Sequence, residues 1–213
     1  MSKDEFKISP KYYNTCWKKL DLKVASDNEQ WKKAIEIFDD RISGRFLKQI
    51  EFLNSNSDDE IRIFSGFTIM ALDCLLIETL HQFYFGLNET KSKKNLDAFV
   101  DFLNNSNNFK KDFKEKETSA KQFYLQIRCG ILHQAETKNH SKINIDQNQK
   151  EMVVAYEGKW ENGLIIRRDL FHKALLKEIN DYKSKLNNNI IAPLQYRENF
   201  IKKMNFICRI EKD

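Results

Sequence analysis

Ile69-Met70-Ala71-Leu72-Asp73-Cys74-Leu75-Leu76-Ile77-Glu78-Thr79-Leu80 is apolar nearly all round when it is wound as a helix. Such a segment belongs at the centre of a helical fold, because a helix without a polar face has none to offer water. The pattern extends over roughly 59–86, with two acids, Asp73 and Glu78, set into it. Gly86 suits its end. Upstream, Trp31, Ala34, Ile35, Phe38, Ile42, Phe46, Ile50 and Leu53 recur at spacings of three and four. That period predicts an amphipathic helix over about 28–53, opened by a capping box at Asp27 and Gln30 and closed by the turn formers Asn54–Asp59. Composition agrees. With six Gly and two Pro in 213 residues, and 16 Phe, seven Tyr and three Trp to fill a core, the chain has too few turn residues for an all-β fold.

Downstream of a polar connection at 88–95, Leu96, Phe99, Val100 and Leu103 predict a short helix, and Asn104–Asn108 a loop. Thr118-Ser119 caps a further expected helix through Phe123, Tyr124, Ile127, Ile131 and Leu132 to about Glu136. The pattern then changes. Ile143-Asn144-Ile145, Met152–Tyr156 and Gly163–Ile166 are short β-prone runs, with turn chemistry at Glu157-Gly158 and Glu161-Asn162-Gly163. They predict a small antiparallel sheet of two or three strands. Asp169 then caps a helix over about 170–187 with Phe171, Ala174, Leu175, Ile179 and Tyr182 inward, and the tail after Pro193 forms one more short helix. The expected fold class is mainly α: a helical bundle in one domain spanning 1–213, its core at about 28–136 and 169–187, with a small antiparallel β insertion near 143–168.

The formal net charge is +5, from 36 basic and 31 acidic side chains. This permits a polyanionic partner without requiring one. Lys-Lys pairs are spread along the chain rather than clustered. In the β-prone segment, Lys142, Lys150, Lys159 and Arg167-Arg168 offer charge to phosphate, although exposed strands ordinarily carry charge of this kind. Cys16, Cys74, Cys129 and Cys208 form no CxxC pair, so zinc is not expected. The polar opening Met-Ser-Lys-Asp-Glu-Phe does not read as a secretory signal, and no apolar run approaches a membrane span. A soluble, cytoplasmic protein without a metal or cofactor is expected.

Four His are present. His81, His140 and His172 have no metal-like partner at helical spacing and read as surface or structural side chains. No Ser/His/Asp arrangement or phosphate-cradling Gly-rich loop is visible. His133 differs, because Arg128 stands five positions before it in Gln126-Ile127-Arg128-Cys129-Gly130-Ile131-Leu132-His133-Gln134-Ala135-Glu136. Arginine offers phosphate a permanent charge on a planar fork, and histidine exchanges a proton near neutral pH. Together these groups suit metal-free cleavage of RNA: the imidazole activates the 2′-hydroxyl or protonates the leaving oxygen, and the guanidinium stabilises the transition-state charge. On one helix, residues five apart differ by about 140° in direction. Gly130 between them, the reach of the arginine, or a second subunit would be needed to join them. The plainer reading is that Arg128 pairs with a core acid while His133 caps or packs.

The phrase Arg128-Cys129-Gly130-Ile131-Leu132-His133 resembles the Arg-x4–6-His signature of the HEPN superfamily, and Ala71-Leu72-Asp73-Cys74-Leu75-Leu76-Ile77-Glu78-Thr79-Leu80 is similar to its acid-bearing core helix. The resemblance covers roughly 60–136. It implies a helical bundle that forms a homodimer with two Arg-His motifs facing each other. It implies a metal-independent endoribonuclease acting on an RNA substrate, as a toxin or an anti-phage defence effector, with an antitoxin or nucleotidyltransferase as a further partner. Under it, Arg128 contacts the scissile phosphate, His133 is the acid/base residue, and Asp73 or Glu78 orients one of them, Glu78 being favoured. The sequence departs from the pattern at Cys129, where active members commonly carry a polar residue. The alternative the resemblance allows is a catalytically silent dimer that binds a nucleotide or a protein partner.

Overall fold

A computed structural model describes residues 5–114, 120–157, 162–188 and 193–210. In chain order the helices are α1 (Asn14–Leu20), α2 (Asn28–Ile42), α3 (Lys48–Asn54), α4 (Asp59–Phe64), α5 (Gly66–Phe85), α6 (Asn95–Asn105), α7 (Lys110–Phe113), α8 (Ala120–Gln122) and α9 (Cys129–Gln134). Strands β1 (Lys142–Asn144), β2 (Val153–Glu157) and β3 (Asn162–Arg167) follow, then α10 (Arg168–Asn187) and α11 (Gln195–Ile207). The protein is mainly helical with one small mixed sheet. No helix among the described residues is long and apolar enough to cross a membrane.

The chain divides into two compact units. The first comprises Met1–Gln49, Thr79–Thr90 and Asn180–Asp213, the second Ile50–Glu78 and Lys91–Ile179. The first unit is built on aromatic rings. Phe38 meets Phe83 at 4.9 Å, and Tyr182 and Phe200 each at 5.7 Å, all edge-on, the geometry that aromatic quadrupoles favour. Arg197 is buried among them. Its guanidinium lies 4.2 Å from the Trp31 ring centroid, and its Nε and Nη1 donate to the carbonyls of Leu186 and Val24. The Asp27 carboxylate accepts from the Gln30 amide at 2.8 Å, one half of the expected capping box, while the Gln30 side chain donates to the Leu20 carbonyl at 3.2 Å rather than returning to Asp27.

Helix α2 does not run unbroken to residue 53. Ser43–Leu47 winds as a π-helical turn before α3. A π turn takes up more residues per revolution than an α turn and so re-phases the apolar stripe. The buried face of α2 is Trp31, Ala34, Ile37, Phe38 and Ile42, with Ile37 in place of the expected Ile35. The 59–86 helix is likewise two, α4 and α5, parted at Ser65. The Asp58 side chain caps α4 through the amides of Glu60 and Ile61. At the far end of α5, Gly86 has φ +60°, and a side chain there would crowd Asn199. This is the left-handed terminus the sequence suggested.

In the second unit Phe123 stacks on Phe171 at 5.0 Å and on Phe99 at 5.8 Å, with the edge of Phe113 at 5.5 Å. Three predicted segments, around 99, 123 and 171, thus share one core. Their helices differ in detail from expectation. Phe123–Arg128, between α8 and α9, is a second π-helical turn. Helix α10 starts at Arg168, which puts Asp169 in its first turn rather than at its cap. The Thr118-Ser119 cap lies outside the described residues, as do Gly158 and Glu161 of the predicted turns.

The sheet corrects the all-antiparallel expectation. Its order is β1-β3-β2, with β2 antiparallel to β3 (Val154 opposite Ile165) and β1 parallel to β3 (Ile143 opposite Ile166). The reason lies in β3. Leu164 and Ile166 are buried and the intervening Ile165 is half-buried, so this continuous apolar run takes the central position, where both faces are covered. The more polar β1 is left at an edge.

Candidate functional site

Arg128 closes the π-helical turn, and its side chain is directed at α5. Its Nε and Nη2 both donate to Glu78 Oε1, at 3.0 and 2.6 Å, and its guanidinium lies 5.2 Å from the Tyr124 ring centroid. The pair is largely withdrawn from water: the side chains of Arg128 and Glu78 are 11% and 16% exposed. Burial works against the Arg128 charge, but the hydrogen bonds and charge of Glu78 outweigh it and hold the guanidinium above its ordinary pKa. Burial also pushes the Tyr124 hydroxyl up, against the pull of Arg128.

His133 sits in the last turn of α9 and is exposed. Among the described residues no hydrogen bond or ion pair joins it to Arg128. The angular argument from sequence therefore holds within one chain: Arg128 turns in toward α5 and His133 turns out to solvent. The same spacing recurs on α5. Asp73 and Glu78 are also five apart, and they serve different partners. Glu78 takes Arg128. Asp73 shares a hydrogen bond of 2.8 Å between its Oδ1 and His172 Nδ1, so it orients neither Arg128 nor His133. Asp73 is fully buried, and its Oδ2 has no hydrogen-bond partner among the described residues. Burial raises its pKa, against the lowering effect of His172. Cys74 next to it is buried too, and burial lifts its thiol well above the usual value.

Gly130 has a structural role that its place in the motif did not announce. A Cβ there would stand 2.4 Å from the Glu136 carbonyl oxygen and 3.2 Å from Thr137 Cα. The chain leaves α9 through Ala135 in the left-handed conformation (φ 53°) and folds back across Gly130. The Lys138 amide then donates to the Gln126 carbonyl at 2.9 Å. The Ser141 hydroxyl donates to Gln126 Oε1 at 2.8 Å and accepts from the Leu164 amide at 2.9 Å. This buried relay ties the π-helical turn to the centre of the sheet. Sequence reasoning passed over Ser141 and the pairing of His172. The only signal for the latter was that a carboxylate in an apolar helix demands a partner.

The basic residues of the β segment divide. Arg167 binds Asp169 through Nε and Nη2 and Gln147 through Nη2. Arg168 is 2% exposed, and its guanidinium donates to the carbonyls of Arg62 and Ile63. Neither offers a free charge. Lys142 and Lys150 are exposed, and Lys159 lies outside the described residues. Among the described residues no group of three or more His, Cys, Asp or Glu gathers as a metal site needs.

Comparison of the chain with protein-family models, with curated proteins and with solved structures finds no significant match.

Proposed function

We propose that this chain is a metal-independent endoribonuclease of the HEPN type, working as a homodimer in toxin or anti-phage defence. His133 is the acid/base residue and Arg128 the phosphate-stabilising residue. The observation that carries the reading is the Arg128–Glu78 pair. Both contacts from Arg128 go to one carboxylate oxygen, which fixes the plane of the fork, and Nη1 takes no part in them. A fork held in this way loses little freedom when it meets an anion. His133 is exposed, and among the described residues no hydrogen bond joins it to Arg128, so the two roles are joined by a second copy of the chain, each subunit lending one group. A motif arginine mounted on a π-helical turn also fits, since such turns are frequent at functional sites.

Two features favour a second reading. The Arg128 charge is already matched by the half-buried Glu78 carboxylate, and Cys129 stands where a polar residue is common in active members. A catalytically silent dimer that holds a nucleotide or a protein partner needs no more than this.

A cleavage assay on total RNA and tRNA with EDTA present separates the two. The first reading expects 2′,3′-cyclic phosphate ends from the wild type and a loss of about 10²-fold or more in His133→Ala, the scale of one general acid/base group. Equal cleavage by both proteins would remove His133 from the mechanism. No cleavage by either, with circular dichroism unchanged, would leave the binding reading.

A further inference from the structure

A groove in the second unit, with a volume of about 610 Å³, is walled by α7, α10 and the chain entering β2. Its rim carries Lys111 on α7, Lys150 ahead of β2, and Lys173 and Lys177 on α10, against two carboxylates, Asp112 and Glu151. Four positive charges less two negative leave a local excess of two. All four lysines are exposed. Lys173 and Lys177 are four apart on one helix and so share a face, roughly 6 Å apart.

The lysines are not carried on free loops. Glu178, buried on α10, accepts hydrogen bonds from Ser106 Oγ at 2.5 Å and Asn108 Nδ2 at 2.6 Å. Phe109 packs against Phe171 at 5.1 Å. The turn leading to Lys111 is thereby anchored to the helix that carries the other two. Lys150 Nζ donates to the Gln147 carbonyl at 2.9 Å.

The lining also selects a ligand. Lysine ammoniums are compact point charges that suit phosphate oxygens, and the charged lining among the described residues is lysine without arginine. Among the described residues no aromatic ring lines it, so bases find no stacking platform on them. Met152 supplies a buried apolar floor. We propose that this groove binds the sugar–phosphate backbone of single-stranded RNA, independent of base sequence, with the four lysines meeting its phosphates. The choice of RNA rests on the ribonuclease reading; the phosphate chemistry does not.

The test is fluorescence anisotropy with a labelled, 2′-O-methylated RNA of roughly 12 nucleotides, in the range one binding face covers. The modified strand cannot be cleaved through its 2′-oxygen. Lys173→Gln/Lys177→Gln is expected to weaken binding on the order of tenfold at moderate salt, and to flatten the slope of log affinity against log salt by about 0.7 for each phosphate left without its lysine. Lys18→Gln/Lys19→Gln, which removes the same charge from exposed positions on α1, is expected to bind as the wild type does. The proposal is overturned if the wild type does not bind, if the groove variant binds as tightly as wild type, or if the α1 variant is weakened as much. Cleavage of unmodified RNA is scored separately. Lysine-dependent binding without cleavage keeps the groove and removes the ribonuclease reading, and cleavage with lysine-independent binding does the reverse.

Discussion

Replacing Gly130 by alanine sets two effects of opposite sign against each other. In a helix interior alanine is favoured over glycine by about 1 kcal/mol, because glycine gives up more backbone entropy. Here the added Cβ would stand 2.4 Å from the Glu136 carbonyl oxygen, 3.2 Å from Thr137 Cα and 3.3 Å from the Lys138 amide nitrogen. All three atoms are backbone, so no side-chain rotation relieves the clash. The returning chain is held by the Ala135 amide on the Ile131 carbonyl and the Lys138 amide on the Gln126 carbonyl. It must therefore move by about an ångström or strain those bonds, and overpacking of this kind costs about 1–3 kcal/mol. The expected net is a destabilisation of about 1 kcal/mol, up to about 2, or a fall in Tm of roughly 2–4 °C per kcal/mol for a chain of this size. Urea unfolding followed by circular dichroism reads the sign directly. Hydrogen exchange at the Lys138 amide, expected to quicken, reads the location. A Gly130→Ala protein more stable than wild type would show that the chain does not return across α9 as described.

Two further outcomes follow from the buried charges. Glu78→Gln leaves the Arg128 guanidinium without its counter-charge and is expected to cost about 3 kcal/mol, the lower end for a broken buried pair because some water reaches it. Arg128→Met/Glu78→Leu should recover most of that loss in the same unfolding measurement, and a double variant no better than the single would mean that the pair is not isolated from its neighbours. Asp73 is held above its unfolded pKa of 3.8 by burial. The folded state therefore keeps a proton that the unfolded state has released, and wild-type stability falls as pH rises from about 4 through the folded value. Asp73→Asn has no such proton. Its stability relative to wild type should grow over that window and then level, and a difference independent of pH between about pH 4 and pH 7 would show the carboxylate to be ionised throughout.

The helical class was legible because α5 is apolar on nearly every side and because Asp27 announces its own cap. What escaped the sequence was phase. Nothing in Ser43–Leu47 or Phe123–Arg128 marks the extra residue of a π turn, yet that residue re-phases the stripe between α2 and α3 and, in the second turn, sets the direction of Arg128. Strand order escaped for a similar reason. Gly163–Ile166 reads as a strand from composition, but the parallel β1–β3 pairing depends on which strand has two faces to bury. In the candidate site, a core acid as the partner of Arg128 was readable from its apolar surroundings, and Glu78 in particular only through the resemblance. The partner of Asp73 was not, because His172 lies 99 residues away, beyond the reach of any local pattern.

The π-helical turn at Phe123–Arg128 makes the length of this segment a variable in its own right. A π turn fits one more residue than an α turn into nearly the same rotation, so loss of one residue from within it would let the chain relax to an ordinary α-helix while everything downstream kept its phase with Phe123 and its aromatic partners. Tightening the turn to α geometry at its present length would instead rotate the downstream chain by about 100°, swing Arg128 off Glu78 and break the Gln126–Ser141–Leu164 relay. A single-codon deletion here is thus absorbed by the turn, whereas a second, with no wide turn left to close, would disconnect the motif from the core. The turn holds one residue in reserve.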